Sequence, residues 1–166
     1  KIFNLNVKEI EKKLKENIPN KILLVADAIR KKMKIDKIHR LSKIDPWFLK
    51  QIKDIVEVES DIEKNGIPKN YNKFNYVKSI GFSDKRLSKL TNISEDTIRK
   101  KRTALKIFPV FKKVDTCAAE FKSFTPYMYS TYQRNFGVGT ECEADTSNRK
   151  KIIILGGGPN RIGQGI

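Results

Sequence analysis

The apolar residues of this 166-residue chain recur mostly three and four positions apart, which is the spacing of one face of an α-helix. The pattern predicts a first helix over residues 6–16, with Asn6 as its N-cap and Pro19 beyond its end. It predicts a second helix over residues 21–34. The start of the chain is therefore expected to be helical.

The strongest helix signal begins at Asp45. An aspartate followed by proline supplies an N-cap acceptor and a preset backbone angle for the first turn. Apolar residues then mark one face as far as Gly66, a residue suited to the left-handed stop of a helix. Trp47 lies in the first turn, and we interpret it as a core anchor packed under a neighbouring helix.

Three shorter helices are predicted next. They cover residues 72–80, residues 83–91 with Ser83 as cap, and a segment from the cap Ser94 to about residue 106. Acidic residues directly after Ser94 favour the positive end of that helix dipole.

The pattern changes after Pro109. Residues 109–132 lack a sustained helical period and are expected to be extended chain with short strands, and residues 133–149 read as a polar loop. The apolar run 152–155 is typical of a buried parallel strand, and glycines follow it directly. The predicted fold class is mainly α, followed by an extended connector and the first strand and turn of a Rossmann-like α/β domain.

The charge balance is strongly basic, with a formal net charge of +16. Such a charge suits either nucleic acid or a lysine-rich solvated surface, and we favour the second reading. No secretory signal or apolar run of about 20 residues is present, so a cytoplasmic protein without membrane contact is expected. A structural zinc site needs four ligands, and the chain offers three candidates, Cys117, Cys142 and His39. Reduced thiols are therefore expected.

Three segments are candidates for carrying chemistry. The first is the glycine-rich turn, which fails the dinucleotide fingerprint at Arg161 and the P-loop pattern at Gln164. What remains is a glycine-rich turn after a strand. Such a turn is equally compatible with backbone contact to a ligand and with a tight turn that binds nothing. Its glycines are Gly156, Gly157, Gly158, Gly163 and Gly165.

The second segment, residues 83–105, resembles a helix-turn-helix with a basic cluster, Arg99 to Arg102, on its second helix. Acidic residues at the start of that helix would repel phosphates, and paired short helices are also a common structural unit. The third segment holds Asp115, Cys117 and Glu120. A nucleophilic cysteine normally needs a base, and His39 lies in a separate helical region, so a packed connector is favoured.

Taken together, several segments resemble the large subunit of carbamoyl phosphate synthetase. The specific ones are VDTCAAEF at 114–121, YMYSTY at 127–132 and LGGGPNRIGQGI at 155–166. Three further segments are similar to it and appear in the family's order: VADAIR at 25–30, IDPWFLKQI at 44–52 and GFSDKRLSKLTNISEDTIRKKR at 81–102.

The resemblance implies an internal piece of a larger enzyme. Residues 1–112 would form a helical oligomerisation domain, 113–149 a connector, and 150–166 the start of the second ATP-grasp half. The parent, an ATP-dependent ligase using Mg²⁺ or Mn²⁺, would make carbamoyl phosphate from bicarbonate, ammonia from glutamine and two ATP, for arginine or pyrimidine biosynthesis. This chain alone would be inactive, with no catalytic residue, metal or cofactor of its own.

The resemblance also implies partners and one site residue. The expected partners are other copies of the chain, the glutaminase subunit or region, and the two ATP-grasp halves, with no nucleic acid. Arg161 would line the tunnel that carries carbamate to the second ATP site. The segment 133–140 has several residues more than the family pattern and is expected to form a surface loop. The alternative function is a DNA-binding helix-turn-helix protein that uses residues 83–105.

Self-association is expected through apolar helix faces that a partner would cover. The candidate segments are residues 47–58 and 74–80.

Overall fold

The computed structural model describes residues 4–115, 120, 127–133 and 141–152. These residues form helices followed by one antiparallel pair of strands. The helices are α1 (Val7–Leu14), α2 (Lys21–Arg30), α3 (Ile35–Ser42), α4 (Pro46–Asn65), α5 (Tyr71–Ser79), α6 (Asp84–Thr91) and α7 (Glu95–Ala104). The strands are β1 (Val110–Lys113) and β2 (Met128–Thr131). The predicted fold, mainly helical with short strands after Pro109, is confirmed.

Side-chain caps fix the starts of four helices as the sequence predicts. Asn6, Ser83 and Ser94 each accept a hydrogen bond from a backbone N–H of the first turn that follows. Asp45 does the same for α4, whose Trp47 N–H lies 2.7 Å from the carboxylate. At the other end, Gly66 adopts a φ of +77°, which an L side chain rarely adopts.

The predicted helix over residues 21–34 is too long. Helix α2 ends at Arg30, because Lys32 turns into the left-handed region and the Met33 N–H reaches back to the Ala28 carbonyl at 3.1 Å. This bonding closes a helix end even without glycine. The chain then restarts as α3, a helix that the sequence analysis did not predict.

Two apolar clusters form the core, and α4 belongs to both. Its first half contributes Leu49 and Val56 to a cluster with α1, α2 and α3, and its second half contributes Ile62 to a cluster with α5, α6 and α7. The first cluster also contains Ile10, Leu14, Leu24, Val25, Ala28, Ile29 and Ile38. The second also contains Phe74, Val77, Phe82, Leu87, Ile98 and Ile107.

The small sheet lies after the last helix. Val110 pairs with Thr131 and Lys113 with Met128, so the strands run antiparallel. On the other edge of β1, the Glu143 N–H bonds the Phe111 carbonyl at 2.8 Å. Of the strand predicted at 152–155, only Ile152 is described. It is 90% exposed and in no strand.

Replacing Asp45 with alanine is expected to destabilise the protein by about 1 kcal/mol, because the first turn of α4 loses its side-chain acceptor. Urea denaturation followed by circular dichroism measures the change. Asp54→Ala is the matched control, since Asp54 is exposed on the same helix. Equal stability of the two variants would show that the cap contributes nothing.

Candidate functional site

A buried carboxylate, Glu59, lies where α2, α4 and α6 meet. It is only 6% exposed and accepts hydrogen bonds from Arg30 Nε at 2.9 Å and Nη2 at 2.6 Å. It also accepts one from Arg86 Nη2. Arg30 in turn donates to Asp27, another buried carboxylate, at 2.7 Å. A buried charge is tolerated only when paired, so this network fixes the three helices against one another.

A second network surrounds Asp84 at the start of α6. Lys78 Nζ donates to the Asp84 carboxylate at 2.7 Å, and Arg102 contacts its other oxygen through Nε at 3.1 Å and Nη2 at 3.0 Å. Each cation also donates to a backbone carbonyl, Lys78 to Phe82 at 2.7 Å and Arg102 to Ile107 at 2.8 Å. One carboxylate therefore connects α5, α6 and α7.

The chain that follows β2 is held on this second network. The Tyr132 ring lies under both cations, with its centroid 5.0 Å from Lys78 Nζ and 5.7 Å from Arg102 Cζ. Both distances are within the range of a cation–π interaction. Beside it, Asn75 Nδ2 donates to the Gln133 carbonyl at 2.9 Å. The sheet region is thus attached to the helical region through specific contacts.

The local environment shifts two pKa values in this network. Burial alone raises the pKa of Asp84, but hydrogen bonds from Lys78 and Arg102 outweigh it, and the pKa lies below its usual value. Burial also raises the pKa of Tyr132, in spite of the nearby Arg102 charge. The carboxylate is therefore ionised and the phenol neutral at pH 7, which suits both the ion pairs and the cation–π contacts.

The residues weighed for chemistry do not form a catalytic site in the part of the chain that is described. Asp115 and Glu120 are exposed, and His39 Nδ1 donates to the Ile44 carbonyl at 2.8 Å, so it closes a turn instead. Cys142 is an exposed free thiol whose pKa is lowered by backbone N–H groups, first that of Phe111. Cys117, Arg161 and the five glycines lie outside the described residues.

The described ranges also lack the arrangements that a metal site or a membrane span requires. There, no group of three or more His, Cys, Asp or Glu side chains is arranged to hold a metal ion. Helices long and apolar enough to cross a bilayer are likewise absent from this part of the chain.

The basic cluster on α7 is partly committed to internal contacts. The Arg102 side chain is 11% exposed and bound to Asp84. Arg99 pairs with Asp96 at 3.1 Å and with Glu95 at 3.6 Å. Arg99, Lys100 and Lys101 are exposed, but Arg99 is paired with acidic residues of its own helix, so the DNA-binding alternative finds no support here.

Trp47 is exposed, so its predicted role as a core anchor is wrong. It is 59% exposed and packs edge-on against Phe48, which is 57% exposed, with ring centroids 4.9 Å apart. The buried face of α4 runs through Leu49, Val56 and Glu59. Trp47 precedes Leu49 by two residues, a rotation of about 200° around the helix, and so points away from that face.

The two predicted association segments differ in exposure. On α4, the aromatic pair and Ile55, 44% exposed, are accessible to a partner. On α5, Phe74 and Val77 are buried in the second apolar cluster, which leaves Tyr76 as the exposed aromatic residue of that segment. Of the two predicted segments, the one on α4 therefore has more accessible apolar surface.

The described residues define a helical domain with paired buried charges and exposed aromatic side chains on α4. The family described as carbamoyl-phosphate synthetase large chain, oligomerisation domain, matches residues 2–106. The chain belongs to this family, which confirms the resemblance seen in the sequence.

Curated relatives agree with this assignment. The carbamoyl phosphate synthase large chain of Haemophilus ducreyi is 48% identical over 168 residues, which cover 99% of this chain and 15% of the relative. That of Pasteurella multocida is 49% identical, with the same coverage. The large chain of Brucella melitensis is 49% identical over 148 residues, which cover 89% of this chain and 13% of the relative. The chain thus spans about one seventh of the length of these relatives.

Replacing Asp84 with asparagine is expected to lower the free energy of unfolding at pH 7 by about 3 kcal/mol, because two cations lose their buried partner. The pKa of Asp84 is depressed in the folded state. The contribution of this carboxylate to the free energy of unfolding is therefore complete above the usual aspartate pKa, and it disappears as pH falls through the lower pKa of the folded state. Urea denaturation at a series of pH values from 7 to below 4 should therefore show that the free energy of unfolding falls less steeply with acid in the variant than in the wild type.

The matched control for that variant is Asp96→Asn. The Asp96 side chain is 78% exposed and pairs only at the surface, so a change within about 0.5 kcal/mol is expected. An Asp84→Asn protein as stable as this control would contradict the assigned network.

Replacing Tyr132 with alanine is expected to cost about 2 kcal/mol and to release the sheet from the helical region, because the ring packs on the second cluster and under two cations. Tyr132→Phe keeps the ring and should change stability by less than about 0.5 kcal/mol. Amide hydrogen exchange of β2 should accelerate in the alanine variant alone. Unchanged protection there would show that Tyr132 does not hold the sheet.

Proposed function

We propose that this chain is the self-association scaffold of a carbamoyl phosphate synthase large chain. The observation that carries the proposal is the family match over residues 2–106, which includes every helix from α1 to α7. The exposed aromatic face of α4 supports it, because apolar surface of this kind is stabilised when a partner covers it.

The parent enzyme is proposed to be a ligase that makes carbamoyl phosphate from bicarbonate, glutamine-derived ammonia and two ATP, with Mg²⁺ or Mn²⁺. Its nucleotide sites and glutaminase partner would lie on other parts of the assembly. Arg161 is proposed to line the path of carbamate, since a guanidinium stays charged and suits an anionic intermediate. That role rests on the sequence motif alone.

The physical contribution of the described residues would be rigidity and attachment. The Glu59 network holds the two halves of the helical domain in one orientation, and Tyr132 holds the sheet region on it. A scaffold with these properties transmits position between subunits without taking part in bond making.

Sedimentation velocity is expected to show a species heavier than the 19.2 kDa monomer as protein concentration rises. Because each copy carries a net charge of +16, association should strengthen when salt rises from about 0.05 M to about 0.5 M and screens the repulsion. A DNA-binding protein would show the opposite salt trend towards duplex DNA. A monomer at every concentration and salt level would contradict the proposed scaffold role.

A further inference from the structure

A hollow of 630 Å³ lies between the end of α2, the turn that follows it and one side of α4. The apolar side chains that line it are Ile29, Met33, Ile35 and Val56. Ile29 and Val56 are buried, whereas Met33 and Ile35 are only partly covered, so the apolar wall is reachable from solvent. The volume falls within the range of small-molecule sites, about 300–1,000 Å³. The hollow is therefore large enough for the apolar body of a small molecule.

The cations around the hollow outnumber the carboxylates. The cations are Arg30, Lys32, Lys34, Lys53 and Arg86, and the carboxylates are Glu57, Glu59 and Glu63. Glu59 is bonded to both arginines, and Glu57 pairs with Lys53 at 3.0 Å. Lys32 and Lys34 are exposed and pair with no carboxylate among the residues that the structure describes. Two uncompensated ammonium groups therefore border the apolar wall.

The remaining carboxylate, Glu63, lies toward the other end of the hollow. Helices α3 and α4 pack on each other and are joined by residues 43–45 alone, so they run antiparallel. Ile35 and Lys53 are each about eight residues from this connection and therefore lie side by side. Lys34 directly precedes Ile35, whereas Glu63 lies about 15 Å beyond Lys53 along α4. An anionic group at Lys34 is thus kept away from Glu63.

The turn that carries the two unpaired lysines is fixed by its backbone. Lys32 has a φ of +60°, and its N–H reaches the Ile29 carbonyl at 2.8 Å. The Met33 N–H reaches the Ala28 carbonyl at 3.1 Å, and the Met33 side chain packs against the first apolar cluster. The turn therefore holds an apolar side chain at the hollow with an exposed lysine on either side of it in the sequence.

We propose that this hollow binds a small organic anion that has an apolar body and a single carboxylate. The body lies against Met33, Ile35 and Val56, and the carboxylate lies between the ammonium groups of Lys32 and Lys34. Burial of the body supplies affinity, and charge-assisted hydrogen bonds from the lysines select an anion. The net charge of +16 acts in the same direction, because it attracts anions and repels cations. The inference is independent of self-association.

Phenylbutyrate is a suitable probe of this site, and phenylbutanol and phenylbutylamine are its neutral and cationic counterparts. In titrations of the full chain followed by NMR, the carboxylate should shift the methyl signals of Met33 and Ile35, which line the hollow. The alcohol should bind at least about fivefold more weakly, because it lacks the charge that the lysines recognise. The amine should bind more weakly still.

Variants of the rim and of the wall test the two parts of the site separately. Lys32→Gln combined with Lys34→Gln should weaken phenylbutyrate at least about fivefold and leave phenylbutanol unchanged. Lys12→Gln combined with Lys15→Gln removes the same charge from exposed positions that do not line the hollow, and this matched control should bind like the wild type. Met33→Ala should weaken both ligands, since both use the apolar wall. Circular dichroism of each variant verifies that the helices stay folded.

The outcomes separate the site from non-specific attraction and from the proposed function. Equal affinity for the acid and the alcohol overturns the role of the lysines. Equal weakening in the two double-lysine variants shows that net charge alone attracts the probe, and it overturns the site, as does the absence of shifts at Met33 and Ile35 at millimolar probe. None of these results bears on self-association, and a monomeric chain that binds phenylbutyrate as described leaves the site standing.

Discussion

The relative position of α2, α4 and α6 depends on how the buried charge of Glu59 is paired. A carboxylate at 6% exposure is stable only when its partners reach it, and both partners come from other helices, Arg30 on α2 and Arg86 on α6. Because α4 also divides its apolar residues between the two clusters, this carboxylate lies where the two halves of the domain join. Apolar packing holds each half together, and the ion pairs set the angle between them.

The second network repeats the arrangement for the chain that leaves the helical domain. Asp84 holds Lys78 and Arg102, and these two cations hold Tyr132. The chain that follows β2 is thereby positioned by charges that the helices have already fixed. The same pairing removes Arg102 from the basic surface, so one member of a charge cluster that suggests nucleic acid in the sequence serves attachment within the fold.

The chain belongs to a family described as an oligomerisation domain. The chain spans only about one seventh of the length of its relatives, so its role in a larger protein depends on the surfaces that it exposes.

Local rules let the sequence determine much of this fold. Caps at Asn6, Asp45, Ser83 and Ser94 act within one turn of chain, so the starts of four helices followed from residue types alone, and the family followed from its motifs. Tertiary structure decided the rest. The end of α2 depends on a left-handed Lys32, and the exposure of Trp47 depends on which side of α4 meets its neighbours. The partners of Glu59 lie 29 and 27 positions away along the chain, and pairing over such separations is created by packing.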